Sequence, residues 1–102
     1  MTAGRRDRIA AALTAIFPRI PAREIESVLD HALVSAGLKK ASPEAAAWLS
    51  ALAVIRHQHT EYDDLLAEGY DVDSARHFTL EPMNAVLAEW GCRRRIDGAE
   101  EG

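Results

Sequence analysis

The chain has 102 residues, 48 % of them hydrophobic and 27 % charged, which is apolar material for one modest core and leaves no case for two domains. Its formal net charge of −4 argues against a general nucleic-acid-binding surface, which needs a basic face. The single Cys92 rules out an intramolecular disulfide, and a reducing, cytoplasmic setting is expected.

The longest near-apolar run, Ala45 to Ile55, falls far short of the roughly 20 residues that span a membrane. Arg5, Arg6 and Arg8 are not followed by an unbroken apolar stretch with a cleavage site, so no signal peptide is expected. These arginines, like Arg93 to Arg95, read as solvated helix ends.

Ile9, Leu13, Ile16 and Phe17 recur at helical spacing and predict a first helix over Arg5–Ile16, stopped by Pro18. Pro18-Arg19-Ile20-Pro21 reads as a tight connection. Pro21 can open the next helix, where its missing N–H costs nothing. That second helix, about 22–36, carries Ile25, Val28, Leu29, Ala32 and Leu33 on one face, with Gly37 as a left-handed cap. His31 lies beside that stripe as a boundary residue.

Ser42-Pro43-Glu44 is the clearest start signal: a capping serine, a proline in the first turn, and an acid at the positive helix end. The third helix is predicted to run unbroken over about 43–68, ending at Gly69. Its first half is apolar almost all round, so it should be the central element. Asp71 or Asp73 then caps a short helix through His77, and Thr79 caps a last one over about 80–90, with Pro82 in its first turn and Gly91 closing it. The alternative is one helix over about 73–90, kinked by Pro82. The fold expected is all-α: four to five helices in a compact bundle, one domain over 1–96, with a frayed acidic tail over 97–102.

Trp48, Leu52, Ile55, His59, Tyr62 and Leu66 are spaced by fours and threes, which on one continuous helix sets His59 and Tyr62 on the core-facing seam. Asp63 then stands one turn from His59, and Thr60 one turn from Arg56. His57-x-His59 looks like a metal pair, but on a helix these side chains point about 200° apart and do not converge. His57 with Glu61 and His59 with Asp63 have ligand spacing, yet each supplies only part of a ligand set, and no metal or cofactor is expected. His59 oriented by Asp63 makes a general base on paper, with Tyr62 as acid or donor. No nucleophile and no Gly-rich phosphate loop accompanies them, so the reading leans away from an enzyme.

The order Ile55-Arg56-His57-Gln58-His59-Thr60-Glu61-Tyr62-Asp63-Asp64-Leu65-Leu66, then Gly69, Ala75-Arg76 and Leu87-Ala88-Glu89-Trp90, resembles a bacterial and fungal family catalogued as domain of unknown function 2293. That family carries an Arg-His-x-His-Thr-x-Tyr-Asp-x-Leu-Leu core, a glycine, an Ala-Arg pair and a closing Leu-x-x-Trp. The resemblance covers about 43–94. It implies that Arg56, His57, His59, Thr60, Tyr62, Asp63 and Arg76 act together, and it implies no activity. This chain departs from it in Asp71 and Asp73, where a basic residue is usual, and in Pro82; the acids argue against an anionic ligand at that place.

The function expected is a non-catalytic interaction module, binding a protein or nucleoprotein partner through those seven residues. One alternative is a small acidic inhibitor or regulator, of the kind mobile elements encode, that occupies a basic site. The other is a hydrolase or nuclease using His59 and Asp63. A homodimer stays open, because the all-round apolar start of the third helix asks for much covering.

Overall fold

The computed structural model describes residues 4–98. It comprises α1 (Arg5–Ile16), α2 (Ala22–Val34), a 3₁₀ turn (Ala36–Leu38), α3 (Pro43–His59), α4 (Tyr62–Ala67) and α5 (Val72–Glu89). The fold is all-α, as expected. Most of the acidic tail expected over 97–102 lies outside the described residues; only Asp97 and Gly98 fall inside.

α3 is the centre, packing against α1, α2 and α5. Ala46, Ala47 and Ala51 are fully buried, and such short side chains let neighbouring backbones come close without leaving voids. Around them sit Ile9 and Leu13 of α1, Val28 and Leu29 of α2, and Met83 and Leu87 of α5. Phe17 joins the two tryptophans: its ring stacks on Trp48 at 6.0 Å and meets Trp90 edge-on at 5.7 Å, both favoured aromatic geometries. Among the described residues no helix is long and apolar enough to cross a membrane.

Several local expectations are corrected. The third helix is not one rod to residue 68: it stops at His59, and α4 starts afresh at Tyr62. Thr60 causes the break. It adopts an extended conformation (φ −134°, ψ 173°), its hydroxyl donates to the Arg56 carbonyl and accepts from the Tyr62 N–H at 3.2 Å. One side chain thereby takes over bonds the helical backbone would have made, the competition that makes threonine a poor interior residue.

α2 ends at Val34, two residues early, because Ser35 turns extended. Gly37 falls inside the 3₁₀ turn and is not a left-handed cap; positive φ is found only at Gly69, Gly91 and Gly98 among the described residues. The region after Gly69 forms one helix with Pro82 inside it, the alternative reading rather than the two short helices. Asp71 is its cap, accepting from the Ser74 N–H at 2.7 Å. Thr79 caps nothing: it is buried and donates back to the Ala75 carbonyl at 2.9 Å. Proline lacks the N–H that would reach the Phe78 carbonyl, so the helix tolerates one missing bond there.

The arginine clusters do more than solvate helix ends. Arg5 donates to the carbonyls of Leu38 and Ala41 at 2.7 and 2.9 Å, tying α1 to the turn before α3. Arg94 lies over the Trp48 ring at 3.8 Å. It arrives there because Gly91 (φ +84°) reverses the chain, with Cys92 N–H closing on the Leu87 carbonyl in a helix-ending loop. Asn84 then anchors the returning strand of chain by bonding both the N–H and the C=O of Ile96, at 2.8 and 3.0 Å.

Candidate functional site

The break at Thr60 decides where every residue of the polar motif points. Arg56, in the last turn of α3, is buried to 8 % exposure and its guanidinium lies 5.5 Å from the centre of the Tyr62 ring, within cation–π range. Tyr62 is buried as expected, but it reaches the core from the first turn of α4. The edge of His57 meets it at 5.4 Å.

Asp63 does not pair with His59. The turn carries it back toward the preceding helix, where its Oδ1 accepts from His57 Nδ1 at 2.7 Å. Both side chains are more than half exposed, 51 % and 59 %, so the pair adds at most about 1 kcal/mol to stability. It does hold the half-exposed His57 ring by one nitrogen.

His59 turns the other way. Its Nε2 donates to Glu24 Oε1 on α2, and its ring meets Trp90 edge-on at 6.0 Å. The Glu24 side chain is only 7 % exposed, against 33 % for His59, so the histidine lids an otherwise buried carboxylate. His59 is therefore half in the core and half at the rim rather than on the buried seam expected of it. Nothing in local spacing points to Glu24, which reads as an ordinary first-turn acid; the pair spans 35 positions and exists only through the packing of α2 on α3.

Arg76 comes from a different helix. It lines a shallow hollow with Asp73, His77, Leu80, Asp97 and Gly98, on α5. The seven residues expected to act together thus comprise a corner built of Arg56, His57, Thr60, Tyr62 and Asp63, a rim position at His59, and Arg76 on α5. Among the described residues no three His, Cys, Asp or Glu side chains gather where they could hold a metal ion.

Beside the corner lies an open cleft of about 510 Å³, walled on one side by Gln58, His59, Thr60 and Glu61 and on the other by Phe78, Thr79 and Pro82. Phe78 is 58 % exposed and packs edge-on against the ring of Tyr70, itself 45 % exposed, at 5.6 Å. His77 meets Phe78 in the same way. The motif reading passes over this aromatic wall, since Phe78 and Tyr70 belong to no motif; the signal is a large apolar side chain on the wrong face of a helix, visible only once the helix is oriented.

Asp71, capping α5, has its carboxyl held below the ordinary aspartate range, first by the Ser74 backbone N–H and then by the Ser74 hydroxyl.

No curated protein and no solved structure matches the chain. The family model described as an uncharacterized conserved protein, domain of unknown function 2293, matches residues 12–91. The match begins well before the motif and takes in the last turn of α1 and all of α2, so Glu24 lies inside it along with His59. Covering most of the chain, from within the first helix to the glycine that closes the last, it shows that this protein belongs to the domain of unknown function 2293 family.

Proposed function

We propose that this protein is a non-catalytic interaction module, which engages a macromolecular partner at the corner between α3 and α4 and along the cleft beside it. The observation that carries this reading is the division of labour in the motif. Arg56, Thr60 and Tyr62 are turned inward to build the corner, while His57 and Asp63 are exposed upon it and Gln58, Glu61 and Phe78 are presented around the open cleft beside it. A rigid, internally bonded support carrying exposed polar groups and an exposed aromatic is how binding surfaces are pre-organised.

The test is site-specific photo-crosslinking in extracts of the native host. A photo-reactive residue at Gln58 should capture a defined partner, and one at the remote, exposed Thr14 of α1 should not. The double variant His57→Ala/Asp63→Ala should lose the capture while its circular dichroism stays native. Equal capture from both positions, or capture unaffected by the double variant, would overturn the reading.

A second reading is favoured by the His57–Asp63 contact alone. With Nδ1 engaged by Asp63, His57 has the arrangement of a general base oriented by a carboxylate. This reading transfers the acid–base role expected of His59 to His57. A screen against phosphodiester and ester substrates would support it if turnover appeared and vanished in His57→Gln; absence of turnover across the screen would remove it.

A further inference from the structure

The chain is charged unevenly. Between Glu61 and Glu81 stand Glu61, Asp63, Asp64, Glu68, Asp71, Asp73 and Glu81, against the single Arg76. Arg5, Arg6, Arg8, Arg19, Arg23, Lys39 and Lys40 lie in the N-terminal part, and Arg93 to Arg95 near the other end. The exposed rings of Tyr70 and Phe78 sit within this acidic stretch. The two rings pack edge-on against each other and leave adjoining apolar area in water, which a covering partner would remove.

Phe78 is the ridge of this surface. On one side it walls the cleft with Glu61, and on the other it borders a second hollow, of about 370 Å³, with His77, Leu80 and Glu81. Glu68 lines a third hollow beside Tyr70. The final residues of α3 form the far wall of the main cleft, and the C-terminal end of a helix carries partial negative charge. Carboxylates and a helix terminus of the same sign therefore surround an aromatic ridge.

We infer that this surface docks a basic, amphipathic peptide segment of another protein: lysine or arginine side chains meet Glu61, Glu68, Asp73 and Glu81, and an apolar side chain packs on Phe78 and Tyr70. The charge complementarity selects the partner's sign, and the rings give the anchor and allow cation–π contact. An acidic partner or a phosphate-bearing ligand meets a carboxylate in each of the three hollows beside the ridge. The inference rests on the interaction-module reading and names the partner's chemistry at that same cleft.

The test is fluorescence anisotropy of the full chain with three labelled twelve-residue peptides. One alternates Lys or Arg with Leu, one replaces each Leu by Ser, and one replaces each base by Glu. The Lys/Arg–Leu peptide is expected to bind tightest, with affinity falling as salt rises. Phe78→Ala is expected to weaken it about ten-fold or more, as for an aromatic anchor. Glu68→Gln/Asp73→Asn/Glu81→Gln is expected to weaken it and flatten the salt dependence, while the control Asp7→Asn/Asp30→Asn/Glu44→Gln leaves it unchanged. All these positions are exposed, and circular dichroism checks that each variant folds.

Binding of the Glu–Leu peptide as tightly as the basic one, equal binding of the serine peptide, no effect of Phe78→Ala, or equal effects of the two triple variants would each overturn the inference. Self-association that Phe78→Ala abolishes would make a second copy, through Arg93 to Arg95, the occupant, and would also overturn it. If the peptides fail while crosslinking from Gln58 still captures a partner, the partner's chemistry is wrong and the module reading stands. If both fail, both fall.

Discussion

Replacing His59 by alanine removes the group that covers Glu24, and the consequence can be worked out from the geometry. The Glu24 side chain is 7 % exposed and accepts from His59 Nε2. Losing a hydrogen bond to a charged group costs about 1.5–3 kcal/mol when the partner is left in place. The figure belongs near the lower end, about 2 kcal/mol, because a third of the His59 side chain already sees solvent and water can enter the space. In a domain of this size each kcal/mol shifts Tm by about 4–8 °C, so His59→Ala is expected to melt about 8–16 °C lower. Removing both partners leaves no buried carboxylate in need of a bond. The double variant Glu24→Leu/His59→Ala should therefore be less destabilised than the sum of its two singles, by at least about 1 kcal/mol. Urea denaturation of the four species, at one pH, gives this coupling directly. Additivity within about 0.3–0.5 kcal/mol, the behaviour of independent sites, would refute the contact and with it the account of His59 as a lid.

Three further outcomes are expected. Thr60→Ala removes both bonds that break the central helix and should destabilise by about 1–3 kcal/mol, with Thr60→Ser restoring most of it; denaturant midpoints of the three proteins decide. Gly91→Ala forces a side chain into φ +84°, with its Cβ 3.2 Å from Pro18 Cδ and 3.4 Å from the Arg19 nitrogen; a loss of about 1–3 kcal/mol is expected, read as a lowered Tm. Because the Asp71 carboxyl is held below its ordinary range by Ser74, its contribution to stability is present above the unfolded-state pKa and is lost as pH falls through the lower folded-state value. An NMR titration should show the Ser74 amide moving on the acid side of pH 4, roughly the unperturbed aspartate value, and Asp71→Ala should abolish that movement.

Much of this architecture is legible along the chain. Apolar residues at threes and fours set α1 and α2; Ser42-Pro43-Glu44 sets the start of α3; Gly69 and Gly91 take up the positive φ at which α4 and α5 end. These are short-range effects, in which a residue's own stereochemistry or its nearest backbone partners decide the outcome. The alanine-rich first half of α3 foretells its central place, because a segment without a polar face has nowhere else to go.

The rest depends on partners far away in sequence. Periodicity extends α3 through Thr60, since helical spacing of apolar residues is blind to a hydroxyl that prefers the backbone of the preceding turn. It joins His59 to Asp63 on that imagined rod, whereas the break sends Asp63 to His57 and leaves His59 for Glu24. Pro82 divides α5 on paper, but burial of Met83, Asn84 and Leu87 holds the helix together across the missing bond. Residue types and short-range order therefore specify the helices and their ends. Which polar group meets which, and that Phe78 and Tyr70 face outward among carboxylates, follows only from packing, because a side chain's partner is set by the rotation and crossing of whole helices that no local spacing records.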